Sequence, residues 1–335
     1  MKFVICGNGF DLHHGLATSY SDYKKFLQNN HCEVINRYEK LVKINDDTVN
    51  AWSDIEKALG IDCFKLFVKL SVQLNIRDEI DQLTHDEIVM TSSNTTLLKD
   101  LTVLTSFIND FTGSYLYDWI SSIDCRNAIP DLSLDNNDKY VNFIYTNTLE
   151  SIYHINSANI LHIHGKLSDL NNLDEDVKEY REFFEDEFLS QEEFEYACRY
   201  YKNSIIRQSL EFGSVISDIR KINEDLHMWY RGDEDYYRYV SPALSVLDNY
   251  VMFSTKSPNE NFECLKRFID PVNEIDTVVI MGHSLNSIDN AYYSHVLVPV
   301  LIEKHWLFMV HGDDERTINS FVKKMGIRNY HIEHW

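Results

Sequence analysis

The chain has 335 residues, with 31 Lys and Arg against 53 Asp and Glu, a formal charge of −22. That length holds one large domain or two ordinary ones, and 44% apolar with 13% aromatic residues supply a sizeable core, which excludes intrinsic disorder. The acidity argues against nonspecific attachment to nucleic acid or to an anionic membrane, both of which need fields of Lys and Arg.

Eleven Gly and five Pro are few, which favours helix over a turn-rich all-β fold and makes each glycine cluster informative. Met1-Lys2 is followed at once by a strand-like Phe3-Val4-Ile5-Cys6, with no charged leader ahead of an apolar stretch. No apolar run approaches the roughly 18 residues of a membrane span. Cys6, Cys32, Cys63, Cys125, Cys198 and Cys264 contain no C-x-x-C pair and read as reduced thiols of a cytoplasmic protein, not as a disulfide frame or zinc knuckle.

Continuous apolar runs predict buried parallel strands, covered on both faces, at Phe3–Cys6, Val141–Tyr145, Ile160–Ile163, Thr277–Met281 and Trp306–Val310. Leu97, Leu101, Leu104, Ile108, Phe111 and Tyr115 predict one helical stripe, and Trp52, Ile55 and Leu59 repeat the spacing. From Asp174 to Glu195 acidic residues alternate with Phe183, Phe184, Phe188 and Phe194, which predicts a solvated helical face with its aromatic side buried; an acidic interaction surface is the alternative. Arg231-Gly232-Asp233-Glu234-Asp235 and Tyr236-Tyr237-Arg238-Tyr239 read as a loop leading to Ser241-Pro242. The expected organisation is an α/β core made from residues 1–20, 140–166 and 275–335. A helical insertion fills 21–139, and a second, acidic one fills 167–274.

The chemistry concentrates in four turns. In Cys6-Gly7-Asn8-Gly9-Phe10-Asp11-Leu12-His13-His14-Gly15 a strand runs into a glycine turn and a helix start, where N–H groups can face a pyrophosphate. Asp11 would repel phosphate, so it fits a ribose hydroxyl or a developing cation. In Tyr145-Thr146-Asn147-Thr148-Leu149-Glu150, Asn147 follows a strand end, where open sheets bind ligands, or else caps the next helix. In His162-Ile163-His164-Gly165-Lys166, His164 at a strand exit suits a general acid or base. No third metal ligand of matching spacing accompanies the two histidines, although His13, His14, His311, His331 and His334 exist elsewhere, so no metal is expected. The fourth turn, Met281-Gly282-His283-Ser284-Leu285-Asn286-Ser287-Ile288-Asp289, lacks the second glycine of a nucleophile elbow and fits a second phosphate- or ribose-contacting bend. His311-Gly312-Asp313-Asp314, after the last expected strand, reads as a further rim loop.

Together and in this order the four turns resemble the AbiH family of phage abortive-infection proteins. The residues that carry the likeness are Gly7-Asn8-Gly9-Phe10-Asp11-Leu12, His14-Gly15-Leu16, Thr18-Ser19-Tyr20-Ser21-Asp22, Tyr145 to Glu150, His162-x-His164-Gly165-Lys166 and Gly282-His283-Ser284-Leu285 with Asp289. The same turns are also similar, more faintly, to the Sir2 superfamily, whose core is a Rossmann-like NAD-binding sheet. Gly7, Gly9 and Gly15 fall on its first motif, Asn147 on its Asn motif, His164-Gly165 on its catalytic His-Gly, and Gly282 to Leu285 on its late Gly-x-Ser-Leu. Asn8, Asp11, Ala17, Ser19 and Leu149 depart from it, and the paired-Cys zinc module of protein deacylases is missing.

These resemblances imply a cytoplasmic antiphage effector that hydrolyses NAD to nicotinamide and ADP-ribose. Asn147, His164 and Asp11 would be the catalytic residues. Gly7, Asn8, Gly9, Phe10, Gly15, Thr146, Gly282, His283, Ser284 and Asp289 would hold the nucleotide. A phage-derived trigger or co-encoded partner protein and a homo-oligomer are implied too. The rival is a non-catalytic module that senses NAD or ADP-ribose and signals to a partner. A nuclease is disfavoured by the net charge and by the lack of a compact carboxylate-metal motif.

Overall fold

The computed structural model describes residues 1–188, 190–214, 233–270, 272–310 and 315–335. A single parallel sheet contains β1 (Lys2–Cys6), β2 (Lys139–Asn142), β3 (Ile160–His162), β4 (Thr277–Met281), β5 (His305–Val310) and β6 (Tyr330–His334). Their spatial order is β3-β2-β1-β4-β5-β6. This is the doubly wound, Rossmann-like arrangement: the order reverses between β1 and β4, and the crevice outside their carboxyl ends is where such sheets take ligands. The expected α/β class is what the chain adopts.

Successive side chains of a strand point to opposite faces. Phe3 and Ile5 accordingly join Val141, Val278, Ile280, Trp306 and Phe308 in one apolar layer. Val4 and Cys6 join Tyr140, Ile160, Val279 and Met281 in the other. Two cores, one on each face, explain the unbroken apolar runs of the inner strands. β6 has no such run, because Tyr330, His331, Glu333 and His334 are exposed and Ile332 alone is half-buried. A polar edge strand protects the sheet from pairing with other chains and leaves little apolar signal.

Three expected elements change. β2 stops at Asn142 instead of running to Tyr145. Asn142 is wholly buried, its Oδ1 accepts the Ile144 N–H at 3.1 Å and its Nδ2 donates to the Thr146 carbonyl at 3.3 Å, so the side chain folds residues 142–146 into a bend. The single stripe helix is three helices, Thr96–Thr105, Ile108–Phe111 and Ser114–Ser121, although Leu97, Leu101, Leu104, Ile108 and Phe111 are all buried as the spacing implies. The expected loop before Pro242 is helix from Glu234 to Ser254, with Asp233 capping it by accepting the Tyr236 N–H at 3.0 Å; Arg231 and Gly232 lie outside the described residues. Pro242 cannot donate to the Arg238 carbonyl, and the Ser241 hydroxyl does so instead at 3.4 Å.

The remaining patterns hold in part. Trp52, Ile55 and Leu59 frame one short helical turn, Ile55–Ala58. Helices Leu173–Phe184 and Gln191–Ser209 carry the acidic stretch, with Phe194 buried but Phe183 77% exposed, so its aromatic side is not wholly covered. No helix among the described residues is long and apolar enough to cross a membrane.

By its contacts the chain forms two compact units. Residues 1–23, 116–211 and 257–335 make the first, which holds the sheet. Residues 24–115 and 212–256 make the second, built on the helix Glu234–Ser254, whose Tyr239, Val240, Leu247 and Tyr250 are buried. There Tyr250 donates to the Leu59 carbonyl at 2.8 Å, and buried Lys256 pairs with Glu56.

The turns after β1 and β4 lie against each other. Gly7 N–H donates to the Met281 carbonyl at 2.9 Å and Gly9 N–H to the Gly282 carbonyl at 2.7 Å. A Cβ on Gly9 would meet the Gly282 Cα at 2.7 Å, and one on Gly282 would meet the Gly9 carbonyl carbon at 2.4 Å. Gly15 is glycine for another reason: its φ is +76° and a Cβ there would meet open space. Gly9→Ala is therefore expected to cost about 3 kcal/mol or to prevent folding, whereas Gly15→Ala should cost roughly 1–2 kcal/mol from backbone strain alone. Denaturant midpoints of the two variants test this ranking.

Candidate functional site

β3 ends at His162 and the chain turns at Gly165, with φ +76°. A Cβ on Gly165 would lie 1.6 Å from the Ser209 carbonyl oxygen, so glycine lets this turn meet the end of the helix Gln191–Ser209. The meeting brings Glu211 to His164. His164 is 3% exposed, with Nδ1 3.3 Å from Glu211 Oε2 and Nε2 3.3 Å from Asp289 Oδ1. The rings of Phe143 and Tyr292 pack edge-on against it at 5.5 and 5.9 Å.

His283 follows Gly282, and a Cβ on Gly7 would touch the His283 Cα at 2.4 Å. Its Nδ1 accepts the Leu285 N–H at 3.0 Å, which fixes the proton of the neutral ring on Nε2, 3.6 Å from Asp289 Oδ2. The buried Asp289 carboxylate thus lies between two imidazoles. Gly282 and Leu285, with φ +60° and +54°, supply the bends that return the chain to it.

Asp11 is not where the sequence reading puts it. It is wholly buried, accepting the Thr146 hydroxyl at 2.6 Å and the Thr148 hydroxyl at 2.8 Å. Burial pushes its carboxyl up to about 6, against the two hydroxyl bonds that lower it. It therefore faces no ribose and braces the helix Asn8–His13 against the bend after β2. Thr146, expected at the ligand, is buried and spent on Asp11. Phe10 is core, 0% exposed among Val4, Tyr140 and Ile144.

The phosphate-cradling role of the first turn is likewise corrected. The N–H groups of Gly7, Gly9 and Phe10 go to the carbonyls of Met281, Gly282 and Gly7, and the Asn8 carboxamide donates to the Thr18 carbonyl at 2.8 Å. Asn147 stands at the start of the helix Thr148–Tyr153 but its side chain makes no capping hydrogen bond, and it is exposed, as is Ser284. Both follow strand ends at the same edge of the sheet as His164.

His162 turns to a different cluster, with Nε2 2.9 Å from Glu150 Oε1 and Lys166 Nζ 3.9 Å from the same oxygen. Burial alone raises the Glu150 carboxyl, but the His162 bond and the charges of His162 and Lys166 hold it below the usual range. His14 is structural: Nδ1 donates to the Phe10 carbonyl at 2.6 Å, Nε2 accepts from Tyr153, and burial lowers its basicity. His13 bonds Asp131 and stacks on Trp335 at 4.4 Å. Among the described residues no group of three or more His, Cys, Asp or Glu is placed to hold a metal; His311 and the loop to Asp314 lie outside them.

Sequence reasoning missed Glu211, Asn261, Tyr292 and Asn142. Asn142 is a polar residue within an apolar strand run, a signal that was available. The other three stand far from His164 in sequence; Glu211 and Asn261 lie beside no motif, and Tyr292 falls three residues past the end of the fourth turn.

Comparison with known families matches residues 3–310 to the family described as bacteriophage abortive infection AbiH. The chain belongs to the AbiH family. The match reaches from β1 to the end of β5 and so takes in all four turns. No curated protein and no solved structure matches the chain. The Sir2 likeness rests on the quoted motifs alone.

The Asp11 environment of this AbiH protein carries a pH signature. With a folded-state pKa raised to about 6, Asp11 holds a proton that the unfolded chain has released, so its contribution is complete below about pH 4 and is lost as pH rises to about 6. Relative to Asp11→Asn, the wild type should lose stability over that window, on the order of 3 kcal/mol. Parallel denaturation of both proteins from pH 4 to 7 measures it.

Proposed function

We propose that this AbiH protein is a cytoplasmic abortive-infection effector that hydrolyses NAD to nicotinamide and ADP-ribose once infection triggers it. One observation carries the reading: at the carboxyl edge of a sheet whose strand order reverses between β1 and β4, His164 lies between two carboxylates, one of them on the chain that follows β4. Doubly wound sheets take dinucleotides at that position. The motif order shared with the Sir2 superfamily supports the same substrate.

The chemistry suits the residues. Cleaving the C1′–N bond returns its electron pair to the nicotinamide nitrogen, so the ring leaves neutral and needs no strong acid. The ribose carbon passes through an oxocarbenium-like cation that water captures. Fixed carboxylates favour both the cationic ring and the developing cation. In this reading His164 takes the proton of the attacking water and Asn147 holds that water or a ribose hydroxyl. His283 and Ser284 line the ribose and pyrophosphate. Asp11 acts from behind, through Thr146 and Thr148 on either side of Asn147.

A phage-derived trigger or co-encoded partner, and self-assembly, would keep basal activity low, since unregulated NAD loss kills the host. The test is purified protein with NAD, alone and with phage lysate fractions, followed by chromatography for nicotinamide. Release is expected on triggering, and His164→Ala and Asn147→Ala should each lower it by roughly 100-fold. Release that both variants retain, or no release under any challenge, defeats the proposal. A second reading, a module that senses NAD or ADP-ribose, draws on the near-complete burial of His164. Saturable calorimetric binding with no nicotinamide formed would favour it.

A further inference from the structure

The geometry points to Glu211 as the positioning residue of this site: its carboxylate fixes the His164 imidazole through Nδ1. Five hydrogen bonds hold Glu211 for that task. Its N–H donates to the His164 carbonyl at 3.0 Å, and its own carbonyl accepts the Tyr145 hydroxyl at 3.0 Å. Oε1 accepts the Ser257 N–H at 2.9 Å. Oε2, the oxygen facing His164 Nδ1, also accepts from Asn261 Nδ2 and from the Tyr292 hydroxyl, each at 3.3 Å.

Asn261 in turn donates to the Ile163 carbonyl at 3.0 Å, next to His164. Burial, and then the Glu211 charge, push the Tyr292 phenol up, so it stays a proton donor to that oxygen. Asp289, shared with His283, faces the other ring nitrogen, with Oδ1 3.3 Å from Nε2, so two carboxylates compete for the proton of the neutral ring. Glu211 at Nδ1 draws that proton to the nitrogen that leaves Nε2 able to accept another, and both carboxylates stabilise the imidazolium that forms. A Glu211 that served the fold alone would tie Ser257 and Asn261 and leave the ring indifferent to its charge.

The kinetic consequence rests on the NAD-hydrolysis reading, but the control of the ring does not. Glu211→Gln keeps an oxygen for the Ser257 N–H and removes the charge, and Glu211→Asp keeps the charge on a shorter arm. In resting protein labelled with 15N-histidine, with His164 assigned through His164→Gln, wild type should show a proton fixed on Nδ1. Glu211→Gln should weaken that preference and move the His164 titration to lower pH, with Glu211→Asp between the two. In triggered protein, Glu211→Gln should lower kcat roughly 10- to 100-fold with KM little changed. Because a less basic ring stays neutral further into acid, the acid limb of the pH profile should move to lower pH.

A folded Glu211→Gln whose His164 nitrogen shifts and titration equal the wild type overturns the inference. If that variant does not fold, Tyr292→Phe removes one bond to Oε2 and should produce a smaller change of the same kind. Unchanged His164 signals there overturn it equally. If wild type never releases nicotinamide, the hydrolase reading falls while the spectroscopic result still decides the role of Glu211.

Discussion

Two backbone turns in contact, with no side chain between them, set the geometry of everything at the carboxyl edge of the sheet. Gly9 N–H on the Gly282 carbonyl, and Gly7 beneath the Met281 carbonyl, fasten β1 to β4 beyond the last rung of their ladder. The helix that starts at Asn8 then carries Asp11 inward to Thr146 and Thr148, while the chain after Gly282 carries His283 and Asp289 toward His164. In many nucleotide-binding sheets such glycines leave room for phosphate. Here they leave room for each other.

Around that junction, acidic groups are neutralised by different means. Burial raises the Asp11 carboxyl to about 6 against the two hydroxyls that stabilise its charge, whereas Glu150 is held ionised by an imidazole and an ammonium. Asp289 is shared by two histidines, and Glu211 is ringed by an amide, a phenol, an imidazole and a backbone N–H. A buried charge is tolerated where hydrogen bonds replace its water, and the spread of these solutions gives the histidines different surroundings. His162 and His164, two residues apart, end in separate networks because the strand stops between them.

The fold was legible where physics is local. Inner strands between two apolar layers must be apolar throughout, so β1 to β5 stand out, and β6, half in water, does not. The stripe from Leu97 to Phe111 names the right buried residues but not the breaks, because Thr105 and Thr112 hydroxyls donate back to the Leu101 and Ile108 carbonyls without altering the apolar spacing. At the site, turn residues could be read from glycine placement. The direction of Asp11 and Phe10 could not, since one residue of difference on a short helix separates ligand from core. Glu211 was beyond reach, because its proximity to His164 exists only once Gly165 admits the end of a distant helix.

The bond between the Glu211 carboxylate and the Ser257 N–H has one more implication. It joins the residue at which the chain departs from the sheet-bearing unit for the second time to the residue at which it then re-enters, so outgoing and incoming backbone are stitched at one spot. A detour closed in this way is topologically a side road. A change of length between those two anchors therefore falls on the second unit, which is built on the helix Glu234–Ser254, and not on strand register, provided the stitch itself survives.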